Sequence, residues 1–209
     1  MFKTPAFFID MQICTGCKTC MVACKDKNDL AQGIRWRRVY EFCGGDWVKG
    51  DDETFTQNVF AYYISMGCNH CKAPACVEAC PSCAMHKDAS GMVLIDPKKC
   101  VGCRYCEWVC PYSAPQFDVS NGIMTKCDFC QELIHEGKKP CCVEACPTHA
   151  LSFGDYDELE ALHGRKTIIA PLPSPEMTAP NLIIVPPKKA QSPDNTQGLI
   201  QNPEEVKNE

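Results

Sequence analysis

Read as apolar and polar positions, the chain is made of short elements. An apolar run at Phe7–Ile9 stops at Asp10, and another at Val93–Ile95 stops at Asp96. Runs this short, bounded by polar residues, read as buried strands. Two longer β-prone stretches, Arg35-Trp36-Arg37-Arg38-Val39-Tyr40 and Asn58–Ile64, are rich in aromatic and branched residues. Gly44-Gly45-Asp46 and Lys49-Gly50-Asp51-Asp52 lie between them and read as turns. These stretches predict an antiparallel pair, with the Arg cluster on a solvated face. Residues 155–163 predict a short helix, started by Asp155 and Asp157 and ended near Gly164. From residue 171 onward there are 8 prolines in 39 residues, so that segment is not helical throughout. Its apolar patch Leu182–Val185 is expected to strap across a partner. The longest apolar stretch, Val59 to about Cys68, is half of the roughly 20 residues a membrane-crossing helix needs.

Composition changes this picture in one respect. Cysteine makes up 19 of 209 residues. An odd count cannot pair fully within one chain, and disulfide-dense scaffolds are mostly small secreted domains. The N-terminus lacks the long apolar core and small-residue cleavage site of a secretory signal. Repeated three-residue spacing favours metal instead. The net charge of −5 gives no reason to expect nucleic acid as a partner.

Sixteen cysteines fall into four groups. They are Cys14, Cys17, Cys20, Cys24; Cys68, Cys71, Cys76, Cys80; Cys100, Cys103, Cys106, Cys110; and Cys127, Cys130, Cys142, Cys146. The first and third are spaced C-x2-C-x2-C-x3-C, and Pro81, Pro111 and Pro147 follow the last cysteine of groups two, three and four. Ile9-Asp10-x3-Cys14-x-Gly16-Cys17 matches Ile95-Asp96-x3-Cys100-x-Gly102-Cys103, and CVEACP occurs at 76–81 and 142–147. Groups one and two thus form one unit and groups three and four its copy. The spacing is the run that binds [4Fe–4S] clusters in bacterial ferredoxins, whose fourth cysteine ligates the other cluster of a pair. Three thiolates on one tight loop reach three corners of a cubane, and Gly16 and Gly102 permit the loop.

Proximity in sequence pairs group two with group three. One cluster then takes Cys68, Cys71, Cys76 and Cys110, and its neighbour Cys80, Cys100, Cys103 and Cys106. Groups one and four are left, with Cys14, Cys17, Cys20 and Cys146 in one set and Cys24, Cys127, Cys130 and Cys142 in the other. Spacing alone leaves open the pairing of one with two and three with four. A structural zinc module is the alternative chemistry. Cys43, Cys83 and Cys141 are left over; Cys142 is preferred to Cys141 because it keeps the CVEACP repeat. His70, between Cys68 and Cys71, is a candidate to tune a cluster from just outside its ligands. No dinucleotide fingerprint, P-loop or nucleophile elbow is present.

The expected fold is α+β. It comprises two pseudo-symmetric bacterial ferredoxin-like modules with two clusters each, a β insertion and an extended Pro-rich C-terminal arm. Residues 1–154 form the four-cluster core, with the insertion at 25–67 and the inner two-cluster module at 68–112; residues 155–209 form the helix and arm.

These strings resemble a known family. CTGCKTC at 14–20, GGDW at 44–47, QNVFAYY at 57–63, GCNHC at 67–71, CPSCAMHK at 80–87, GCRYC at 102–106, EGKKP at 136–140 and APLP at 170–173 are similar to the iron–sulfur (B) subunits of anaerobic dimethyl sulfoxide reductases. These belong to the electron-transfer subunits of molybdopterin oxidoreductases. The resemblance implies four [4Fe–4S] clusters, with group one paired to four and two to three. It implies a heterotrimer in which a membrane anchor oxidises quinol and a molybdenum bis-pterin catalytic subunit reduces S- and N-oxides. Some relatives carry Trp at one ligand position of group three; here all four cysteines are present. It further implies attachment to the periplasmic face of the inner membrane by co-export with the catalytic subunit, with the cytoplasmic face as alternative. Relatives acting on selenate, formate, polysulfide or thiosulfate are the alternative assignment, and a standalone ferredoxin-like carrier a further one.

Overall fold

The structure, a computed structural model, describes residues 3–164 and 168–206. The ends of the expected core and arm (residues 1–2 and 207–209) and residues 165–167 of the arm lie outside them. In chain order the first half runs β1 Pro5–Asp10, α1 Thr19–Lys27, β2 Arg38–Gly44, β3 Trp47–Lys49, β4 Phe55–Gln57, β5 Phe60–Met66, α2 Ala75–Glu78, β6 Met85–Lys87 and β7 Val93–Ile95. The second half runs α3 Tyr105–Val109, β8 Gln116–Asp118, β9 Ile123–Thr125, α4 Gln131–His135, α5 Cys141–Glu144, β10 Leu151–Asp155, α6 Tyr156–His163, β11 Leu182–Val185, β12 Gly198–Ile200 and α7 Pro203–Val206. This is an α+β chain in which no described helix is long and apolar enough to cross a membrane.

Strand β1 is a continuous apolar run because it is buried on both faces. It lies between β10, antiparallel, and β11, parallel. Its side chains alternate between two cores, as a period of two requires. Phe7 and Ile9 join Leu182 and Ile184 in the main core. Ala6 and Phe8 join Ile183 and Leu159 of α6 on the other face. The Leu182–Val185 patch is therefore consumed by the chain's own sheet, and not by a partner. Its residues Leu182 to Ile184 are essentially solvent-free, and burying each stabilises the fold by about 1.5–3 kcal/mol. The arm instead returns along the core, where β12 adds to β2.

The insertion forms the expected antiparallel pair, with boundaries shifted by two to four residues. β2 pairs antiparallel with β5 from Arg38↔Met66 to Gly44↔Phe60. The segment read as turns also contains a two-stranded hairpin, β3–β4, with exposed Trp47 and Phe55. Sequence reading failed at the Arg cluster. Arg37 and Arg38 are 2% and 1% exposed, so they do not form a solvated face. Arg38 donates to the carbonyls of Val206 (2.8 Å), Tyr112 (2.9 Å) and Ser113 (2.7 Å), tying α7 and the Cys110 turn to the sheet. Helix α6 starts as expected: Asp155 accepts from the Asp157 N–H, and Gly164 caps the other end with φ 75°.

Candidate iron–sulfur sites

None of the nineteen cysteines is joined in a disulfide. Group one sits on the loop after β1 and on α1, and group three on the equivalent loop after β7 and on α3. Each loop turns through left-handed backbone at a glycine and again at the residue before the helix. The φ values are 69° and 62° at Gly16 and Lys18, and 66° and 62° at Gly102 and Arg104. At Gly102 the close approach is to the Gly122 carbonyl, and at Gly16 to the Tyr63 ring; neither leaves room for a Cβ.

A second local feature lies beyond the sequence pattern. After Cys80, Cys110 and Cys146, each followed by Pro, the chain makes the same turn. The N–H three residues on donates to the cysteine carbonyl, at 3.2 Å from Cys83, 3.0 Å from Ser113 and 3.1 Å from His149. Those three residues all have positive φ, at 52°, 49° and 54°. The turn carries backbone donors back to sulfur. Met85 N–H reaches Cys80 Sγ at 3.3 Å, and Ala114 N–H reaches Cys110 Sγ at 3.5 Å. Elsewhere Met124 N–H donates to Cys100 Sγ (3.3 Å) and Phe129 N–H to Cys127 Sγ (3.4 Å). Hydrogen bonds to sulfur stabilise the thiolate and set cluster potentials. A Cys-Pro signal was readable in the sequence; the left-handed turn three residues on was not, because Cys, Ser and His share no turn propensity.

Helix α1 packs on α5, and α2 on α3. This brings the helix that carries Cys20 and Cys24 of group one to the helix that carries Cys142 of group four, and the helix that carries Cys76 of group two to the helix that carries Cys106 of group three. In three of the sets the thiols acting on one another are members of the same set; in the fourth, Cys130 acts with the unassigned Cys141, and Cys127 with Cys68. Cys14 is raised by burial and then by Cys20, Cys146 and Cys17. Burial pushes Cys71 up to about 12, with Cys68 and Cys110 adding to it. Cys76 is raised by burial, Cys68, Cys110 and Cys71. Cys106 is pushed up to about 12 by burial, Cys100, Cys80 and Cys103. Cys80, Cys100, Cys103 and Cys106 also line one small cavity, of about 20 Å³, with Met85, Ile95 and Met124. In the remaining set Cys24, Cys127, Cys130 and Cys142 are all buried. Cys142 is raised by burial and by Cys130 and Cys20, while the Arg37 guanidinium opposes the rise.

Exposure differs among the sets. Cys17 and Cys103 are exposed, one in each of two sets; the other two sets have no exposed member. The Cys17 thiol is held below its ordinary value by the Thr19 hydroxyl, 3.4 Å away, and the Thr19 N–H.

The donor set fits iron–sulfur clusters better than zinc. A tetrahedral zinc ion at about 2.3 Å from sulfur draws its thiolates to about 3.8 Å from each other. Among the described residues, no three His, Cys, Asp or Glu side chains converge to hold a single ion. Four runs of four thiols, two of them with the ferredoxin spacing C-x2-C-x2-C-x3-C, suit cubanes. Burial keeps several of these thiols protonated by themselves, so deprotonation requires the positive charge of bound iron.

The three spare cysteines separate in the structure. Cys43 lies in β2 and Cys83 is exposed. Cys141 sits with its sulfur 3.6 Å from that of Cys130. His70 is fully buried, with Nδ1 accepting from the Val93 N–H at 3.0 Å. Burial and the charges of Lys126 and Lys87 hold the ring well below its ordinary value, so it is neutral. Its proton is then on Nε2, which has no hydrogen-bond partner among the described residues.

A family profile described as a 4Fe-4S dicluster domain matches residues 59–156, which hold groups two to four. The chain is 52% identical over 200 residues to the B subunit of anaerobic dimethyl sulfoxide reductase of Escherichia coli, covering 96% of this chain and 97% of that one. Against the corresponding subunit of Haemophilus influenzae it is 50% identical, over 96% and 98%. A thiosulfate reductase electron transfer subunit of Salmonella typhi is 34% identical over 72% of this chain and 76% of its own. The cysteine framework and this near full-length likeness show that the chain belongs to the family of iron–sulfur B subunits of anaerobic dimethyl sulfoxide reductases.

Proposed function

We propose that the chain relays electrons through four [4Fe–4S] clusters between a quinol-oxidising membrane anchor and a molybdenum catalytic subunit that reduces dimethyl sulfoxide and related S- and N-oxides. The ligand sets are Cys14, Cys17, Cys20, Cys146; Cys24, Cys127, Cys130, Cys142; Cys68, Cys71, Cys76, Cys110; and Cys80, Cys100, Cys103, Cys106. When bound, the clusters supply one-electron carriers. The protein's part is to hold, desolvate and order them.

The observation that carries this reading is the linkage between sets. Cys142 of the second set acts on Cys20 of the first. Cys127 of the second acts on Cys68 of the third. Cys76 of the third shares an apolar cluster with Cys80, Cys100 and Cys106 of the fourth. These linkages support an order in which the sets follow one another in a line, with the sets that hold the exposed thiols Cys17 and Cys103 at its two ends. A wire needs this form: a dry interior and two accessible termini. Exposed Val101, Tyr105 and Trp108 flank one end, and Ile13 and Val22 the other. Membrane attachment falls to the anchor subunit, and the family resemblance supports the periplasmic face, reached together with the catalytic subunit.

The test is reoxidation. The anaerobically reduced chain is expected to be reoxidised by dimethyl sulfoxide only when the catalytic subunit is added. Reoxidation without that subunit, or none with it, contradicts the proposal.

A further inference from the structure

Arg37 is a basic residue sealed inside the core. Its guanidinium is held at three points. Nη1 donates to the Ser65 carbonyl and to Ser65 Oγ, both at 3.2 Å. Its Cζ stacks 4.4 Å from the centroid of the Phe7 ring. Gly67 lies alongside, where a Cβ would come within 3.4 Å of Nη2. Ser65 Oγ in turn lies 3.2 Å from Cys20 Sγ, which links the guanidinium to group one through one hydroxyl. Nη2 is buried with no hydrogen-bond partner among the described residues. Sequestered charge of this kind is costly unless an opposite charge faces it.

The facing groups are thiols. Burial alone would disfavour the charge, but Cys142, Cys20, Cys127 and Cys24 together strengthen it. Those four belong to the first two ligand sets only. With four thiolates, a [4Fe–4S] core carries a net charge of about −2, and about −3 after taking one electron.

We propose that Arg37 is a positioning residue for electron transfer: its buried guanidinium holds a fixed positive charge between the clusters assigned to groups one and four, with Nη2–H left to donate to sulfur there. The charge stabilises the reduced form of these two clusters relative to the oxidised form, and so raises their reduction potentials above what their burial alone would set. Burial without a countercharge disfavours the more negative, reduced state. No proton moves; the electron comes from the reductant and stays on the cluster. The clusters of groups two and three face other buried cations, Lys126 toward Cys76 and Arg38 toward Cys110, so the two halves of the relay answer to different fixed charges.

This inference rests on the four-cluster reading, and the experiment separates the two. The full chain is purified anaerobically as wild type, Arg37→Gln and Arg37→Lys, and iron and labile sulfide are measured first. Absence of iron–sulfur clusters in the wild type overturns the four-cluster reading itself. With clusters loaded, dithionite titration is followed by EPR. In Arg37→Gln, the ratio of reduced to oxidised cluster at fixed potential is expected to fall at least tenfold for two of the four clusters, about 59 mV for a one-electron couple. The other two should hold their midpoints. Arg37→Lys keeps the charge but loses the planar fork, and should show a smaller shift of the same sign. It decides the matter where the Gln variant fails to load. Four loaded clusters with unchanged midpoints, or an equal shift in all four, overturn the role of Arg37.

Discussion

The loops that carry the first and third cysteine groups are built alike and surrounded differently. Both turn through a left-handed glycine and a left-handed basic residue, Lys18 or Arg104, with almost identical backbone angles. Beyond the loop the likeness ends. Lys18 reaches long-range partners, Glu41 at 3.0 Å and Glu205 at 2.6 Å. Arg104 pairs with Glu107 on its own helix, at 2.8 Å, and lies over Phe117. The first loop is backed by the β2–β5 sheet, and α7 packs on that sheet. The third is flanked by two short hairpins and leaves Trp108 77% exposed. The local motif sets the shape of a cluster loop. Distant segments decide how dry and how charged its surroundings are, and those quantities set potential.

The largest test of this contrast is to remove a ligand that crosses between groups. Cys146→Ser is expected to lower iron content by about four atoms per chain, and to abolish the same EPR signal as Cys20→Ser. Loss of different signals would break the pairing of groups one and four.

Next, the long-range support of the first region can be weakened without touching a thiol. Ile183 is fully buried beneath α6, and Ile183→Ala should cost about 2–5 kcal/mol in denaturant unfolding. Trp108→Ala, on the open side, should stay within about 0.5 kcal/mol. Equal costs would remove the distinction between a backed and an open region.

The glycines sharpen the contrast inside the loops. Both demand left-handed backbone, which costs an alanine about 1–2 kcal/mol. At Gly102 the added Cβ also meets backbone, while at Gly16 it meets a ring that can turn. Gly102→Ala should therefore destabilise by about 3 kcal/mol or more, through added overpacking, and Gly16→Ala by less. The reverse order in thermal unfolding would show that Tyr63 is rigid.

The smallest effect concerns Asp155. Its burial opposes ionisation, but N–H bonds from Thr4, Lys3 and Asp157 win and hold the carboxyl below its ordinary value. A depressed carboxylate contributes stability that is complete above about pH 4 and disappears as pH falls through the folded value. Asp155→Ala should cost about 1 kcal/mol at neutral pH, and the gap to wild type should close in acid. A gap independent of pH would assign the loss to packing.

Much of this was readable in advance because the chemistry is local. Cysteine spacing, Gly16, Gly102 and the Asp155 cap each act within a few residues, and their elements appear where the pattern put them. What escaped was set by partners far along the chain. Leu182–Val185 looked exposed only because its neighbour β1 lies about 175 positions earlier in sequence, counted from the pairing Phe7↔Leu182. Arg37 and Arg38 looked solvated because nothing nearby announces the Ser65, Tyr112 and Val206 acceptors that let them be buried. The left-handed turns at Cys83, Ser113 and His149 have no residue type in common, so only their backbone reveals the repeat.

The central claim is that sixteen cysteines hold four cubanes. Its most direct measurement is iron and acid-labile sulfide per chain on anaerobically purified protein. The account predicts about sixteen of each. About four zinc ions and no labile sulfide would contradict it.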